Sequence, residues 1–121
     1  MNNKITITTA EITDNKLLLH TDQPLDGLHP KEQILADTDN CSFIYLMEDE
    51  TKYTYIILPE SIWSILKTAH DSRLPVSITD QNEQTELLGF HDELEFLVTN
   101  IKGNSNYGSE FVERVEGIFE S

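Results

Sequence analysis

His91 and Glu95 stand four residues apart in Phe90-His-Asp-Glu-Leu-Glu95. On a helix that spacing puts an imidazole and a carboxylate on one face, within reach of a shared metal ion. A metal site needs further ligands, and the chain has no His-Glu-x-x-His pattern and no cysteine pair. A histidine hydrogen-bonding locally beside Val98 is the better account, so the expectation is no metal and no cofactor. Tyr107 lies in the turn that follows and completes a candidate ligand-binding segment, residues 90–108.

Other groups offer less. Asp37-Thr-Asp-Asn40 carries oxygens in a turn but lacks the length and distal glutamate of a calcium loop; side chains bonding their own backbone explain it. Cys41, the single cysteine, borders an apolar stretch with no basic neighbour and reads as an inert thiol. No glycine-rich phosphate loop is present, and Gly103 and Gly108 flank a turn. Trp63 and His70 share a helix edge that is either a pocket wall or, as is usual for tryptophan, core. No catalytic set emerges, which favours a non-enzymatic protein.

These residues sit on elements legible from periodicity. Phe90, Leu94, Leu97, Val98 and Ile101 make an apolar stripe at helical spacing, with Asp92 and Glu93 in the first turn and Phe96 on the polar side. Gly103 is placed to stop that helix at positive φ. Phe111, Val112, Val115, Ile118 and Phe119 form a second stripe, capped from Asn106 or Ser109, so the two helices make a C-terminal αα-hairpin. Earlier, Pro59 opens a central helix with Ile62, Ile65, Leu66 and Ala69 on one face.

The rest reads as strands: 4–9 paired with 16–20 through Asp14-Asn15, a short strand over 33–36, the hairpin 42–47 with 52–58, and the hairpin 74–79 with 84–88. The expected fold is α+β, a mainly antiparallel sheet built from hairpins with helices on one face, in a single domain over 1–121. Both faces of the central hairpin are apolar. Counting alternate residues groups Phe43, Tyr45, Met47, Tyr53 and Tyr55 on one face, offered as a contact surface for a second copy or a protein partner.

Composition sets bounds. The net charge is −14, from 22 acids against 8 bases, spread over both halves of the chain. Phosphates would be repelled, which argues against nucleic acid and anionic membranes as partners. No apolar run approaches the ~18 residues of a membrane span and no signal peptide opens the chain, so a cytoplasmic location is expected.

Several stretches together resemble one family: Ile34-Leu-Ala-Asp-Thr-Asp-Asn40, Phe43-Ile-Tyr45, the lone Trp63, Phe90-His-Asp-Glu-Leu94, and Asn100-Ile-Lys-Gly-Asn-Ser-Asn-Tyr-Gly-Ser-Glu-Phe-Val112. They are similar to the YjbL-like family of small uncharacterised proteins of low-GC Gram-positive bacteria, over nearly the whole chain. The resemblance implies a stand-alone cytosolic bacterial protein. It implies no reaction and transfers no catalytic residue. The leading functional expectation is a protein–protein interaction or regulatory module. The alternative is a small-ligand or metal-binding protein, with enzymatic activity as an option, centred on His91, Glu95 and Tyr107.

Overall fold

The computed structural model describes residues 3–120. Among the described residues, eight strands form two four-stranded sheets rather than one. The first sheet contains β1 (Asn3–Thr6), β4 (His29–Asp37), β5 (Ser42–Glu48) and β6 (Tyr53–Pro59), in the order β1-β6-β5-β4. The second contains β2 (Thr9–Thr13), β3 (Lys16–His20), β7 (Val76–Thr79) and β8 (Gln84–Glu86), in the order β2-β3-β7-β8. Hairpin pairs are antiparallel, as expected, but each sheet also holds one parallel pair, β1 with β6 and β3 with β7. The sheets are therefore mixed.

The strand expected over 4–9 is divided. Its first part joins the first sheet, and the chain crosses to the second at fully buried Ile7. The expected turn holds: Asp14 and Asn15 have φ of 52° and 61°, the left-handed pair that a tight hairpin requires. Aspartates close other turns through their own carboxylates. Asp49 accepts from the amides of Thr51 and Lys52, and Asp37 from that of Asn40.

A short 3-10 turn, Glu60–Ile62, follows Pro59, so the central helix α1 begins at Trp63 and runs to Asp71. α2 spans Phe90–Ile101 and α3 spans Ser109–Phe119. Their buried residues are those of the stripes, while Phe96 projects outward. Gly103 follows α2 with φ 67°. Neither Asn106 nor Ser109 caps α3. Gly108 occupies its N-cap, and the Asn104 side chain instead accepts from the Asn106 amide in the 3-10 turn Ser105–Tyr107.

One core cluster draws on both sheets and all three helices, including Ile5, Phe43, Tyr45 and Leu58 from the first sheet, Leu17 and Ile78 from the second, and Trp63, Leu94 and Phe111 from the helices. The second edge of that core is tied by side-chain bonds. The Tyr45 hydroxyl donates to the Leu88 carbonyl at 2.6 Å, and the Leu25 amide donates to Asp80 Oδ2 at 2.9 Å.

Candidate functional site

Two places gather the residues singled out from the sequence. The first is the outer face of the first sheet. In the β5–β6 hairpin, Glu48 pairs with Tyr53 across the loop Asp49 to Lys52, so Tyr45 pairs with Ile56 and Leu46 with Tyr55. Paired residues share a face. The grouping of Phe43, Tyr45 and Met47 with Tyr53 and Tyr55 is thereby corrected. The loop length fixes the register, and a change of one residue in the pairing moves every side chain to the other face.

Phe43, Tyr45 and Met47 point inward with Ile56 and Leu58 and are fully buried. Tyr45 stacks near Phe90, and burial pushes its hydroxyl well above the usual tyrosine pKa. Tyr53, Tyr55 and Ile57 point the other way, beside Ile44 and Leu46. Leu35, paired with Ile44, continues the row on β4. None of these six residues belongs to the core cluster, but Ile44 and Leu46 are buried and Tyr55 and Ile57 half-buried. Tyr53 is 41% exposed and Leu35 37%. Lys4 and Thr6 of β1 and His29 and Glu48 border the same face.

The second place is where the last turn of α1 meets the first turns of α2. His91 and Glu95 lie there, and the structure adds His70 and Arg73, whose approach no local pattern in the sequence foretells. His70 Nδ1 and His91 Nδ1 are 3.3 Å apart. His91 Nε2 bonds to the Leu74 carbonyl. His70 Nε2 lies 3.8 Å from Glu95 Oε1, which an Arg73 guanidinium nitrogen also approaches at 3.4 Å. Burial, then the neighbouring His91 and Arg73, holds His70 below the ordinary histidine pKa.

The paired-ligand reading of His91 with Glu95 changes accordingly: Glu95 faces His70 and Arg73, while His91 reaches Leu74 and His70. Tyr107 does not join them. It stacks on Phe111 beyond the far end of α2, a helix of 12 residues and hence about 18 Å long. Trp63 is core, as expected of a tryptophan, fully buried on Phe43.

Two further groups carry side chains capable of chemistry. The Cys41 thiol is raised above its ordinary pKa by burial and then by Glu60, the opposite of an activated nucleophile. Asp26, Asp80 and Glu83 bring carboxylate oxygens within 4.8 Å of one another among the described residues. Asp80 is occupied as a turn former, accepting the amides of Asn82, Glu83 and Leu25.

A family model described as a family of unknown function (UPF0738) matches residues 5–119. The chain belongs to this family. Three relatives match over nearly their whole length. A UPF0738 protein of Bacillus licheniformis is 46% identical, covering 98% of this chain and 99% of its own. The UPF0738 protein YjbL of Bacillus subtilis is 38% identical with the same coverage. A UPF0738 protein of Staphylococcus saprophyticus is 36% identical over 117 residues, covering 97% of each chain. The resemblance seen in the sequence thus rests on the full chain, in low-GC Gram-positive bacteria. No solved structure matches significantly. Among the described residues, no helix is long and apolar enough to cross a membrane.

Proposed function

We propose that this protein is a non-enzymatic, cytoplasmic interaction module whose contact surface is the outer face of the first sheet. The observation that carries this reading is the row Leu35, Ile44, Leu46, Tyr53, Tyr55 and Ile57, six apolar side chains on one face and outside the core cluster. Its exposed members, Leu35 and Tyr53, flank half-buried Tyr55 and Ile57, and exposed apolar surface of this kind supports a protein contact. Tyrosines suit its rim, presenting an apolar body and a polar tip. The apolar character of this face suits a second copy or a protein partner; the strongly negative charge of the whole chain opposes self-association, favours a basic partner and disfavours nucleic acid. Tyr45 supports the surface from beneath as a core residue of the same strand.

Leu35 and Tyr53 are the exposed members, so charges there test the surface without emptying the core. Sedimentation velocity in physiological salt, with affinity capture from native cytosol, should show association by the wild type. Leu35→Glu and Tyr53→Glu should abolish it while leaving the circular dichroism unchanged. Association equal in wild type and both variants, or absent from all, would sink the proposal.

A further inference from the structure

His91 decides where the protons sit in its hydrogen bond with His70. A neutral imidazole carries one N–H and one lone pair. His91 Nε2 bonds to the Leu74 carbonyl, which only accepts, so the His91 proton is on Nε2. Its Nδ1 is then an acceptor, and His70 donates to it from Nδ1 at 3.3 Å. The bonds run from His70 to His91 to Leu74, and so tie the last turn of α1 to the first turn of α2. One lone pair is left over, on His70 Nε2. It has no hydrogen bond among the described residues, and Glu95 Oε1 stands 3.8 Å from it.

The two free positions for a proton have opposite consequences. A proton added at His70 Nε2 leaves the Nδ1 bond in place and makes its donor cationic. A proton added at His91 Nδ1 removes the acceptor. Two N–H groups then face each other across 3.3 Å, on rings whose centroids are 5.2 Å apart. The contact therefore survives one added proton and not two, and the rings titrate as a pair. Charged neighbours surround both. His70 meets Lys67 and Asp71 of α1, Arg73 beyond it, and Glu95 and Lys102 of α2, while α3 brings Phe119 to that side. His91 meets Arg73, Asp92 of its own helix and Glu86 of β8, with Val76 from β7. Lys67 is paired with Asp71, and Arg73 with Asp92 and Glu95. Burial, then His91 and Arg73, outweighs the pull of Glu95 and Asp71 and holds His70 below the ordinary histidine range.

We propose that the His70–His91 bond is a proton-operated latch between α1 and α2, closed with one added proton or none and open with two. The start of α2 depends on it, because Gly89 at the N-cap has no side chain to hold the first turn. The sign of the pH response follows from His70. The unfolded chain takes up its proton first, so stability falls as pH drops from the ordinary histidine value through the lower folded one. The latch is separate from the sheet face and does not rest on the interaction reading.

Untagged full-length protein is titrated from about pH 8 to about pH 4.5, which spans histidine and stays above most carboxylates. Long-range proton–nitrogen spectra of the rings are recorded together with amide exchange, corrected for its intrinsic pH dependence. At the alkaline end the proton should be on Nδ1 of His70 and Nε2 of His91. On acidification the His70 Nε2 signal should move first and His91 Nδ1 second. Exchange of the Glu93 and Leu94 amides should quicken at least about tenfold with the second step only. His70→Gln should remove that step with the dichroism spectrum preserved, because an amide side chain donates or accepts as required. Glu95→Gln should move the first step to lower pH, and Asp80→Asn should move neither. The opposite tautomers, exchange that ignores the second step, or an acid step that persists in His70→Gln would overturn the latch. If His70→Gln unfolds, the tautomers and the order of the two steps in the wild type decide.

Discussion

Trp63 lies flat on Phe43, with ring centroids 4.5 Å apart and planes 14° from parallel, and its indole N–H donates to the Leu58 carbonyl at 3.0 Å. Phe111 and Phe119 close on the same pair from α3, edge-on and tilted. This cluster joins the central hairpin, α1 and the C-terminal helix at one point. Trp63 is the single tryptophan, so its emission reports that junction. Denaturant unfolding followed by emission and by dichroism should give one coincident transition, as expected of a single domain. Phe43→Leu should lower stability by about 1–2 kcal/mol. Two separated transitions would show that the sheets unfold independently.

The Tyr45 hydroxyl donates to the Leu88 carbonyl just before α2, with the Glu32 backbone also beside it. Tyr45→Phe keeps the ring beside Phe90 and removes the donor. The expected loss is about 1 kcal/mol, the usual worth of such a bond. An unchanged denaturation midpoint would mean that water replaces the hydroxyl at no cost.

Gly103 combines positive φ with open space where a Cβ would stand, so substitution there costs backbone strain and not a clash. Gly103→Val should destabilise by about 1–2 kcal/mol, whereas Gly103→Asn, which tolerates the left-handed region, should cost less. Equal melting temperatures for the two variants would contradict a φ-based origin.

Asp80 accepts backbone amides from Glu83, Leu25 and Asn82, and these bonds hold its carboxyl below the usual carboxylate range. A carboxyl with a depressed folded-state pKa adds stability above the unfolded pKa, and that stability is lost as pH falls through the folded pKa. The wild type should therefore lose melting temperature on acidification below the ordinary aspartate range more steeply than Asp80→Asn. Parallel acid limbs for the two proteins would remove Asp80 from the account.

Local pattern alone determined much of this molecule. The three helices follow from apolar residues at helical period, and the outward Phe96 from its place off the stripe. The turn at Asp14-Asn15 and the stop at Gly103 follow from residues that accept positive φ. These features depend on neighbours within a few positions, so their physical causes are all contained in short windows. Tertiary structure alone decided the split of residues 4–9 between two sheets, since parallel pairing of β1 with β6 and β3 with β7 joins strands more than fifty residues apart. Which tyrosines face outward was fixed locally: a four-residue loop sets odd-numbered residues of β5 opposite even-numbered residues of β6, which counting alternate residues straight through the loop misses. The meeting of His70 with His91 required the β7–β8 hairpin to fold back and bring α2 against the end of α1. Pairing and packing between distant segments leave no periodic trace in either segment, and the candidate sites are made of such encounters.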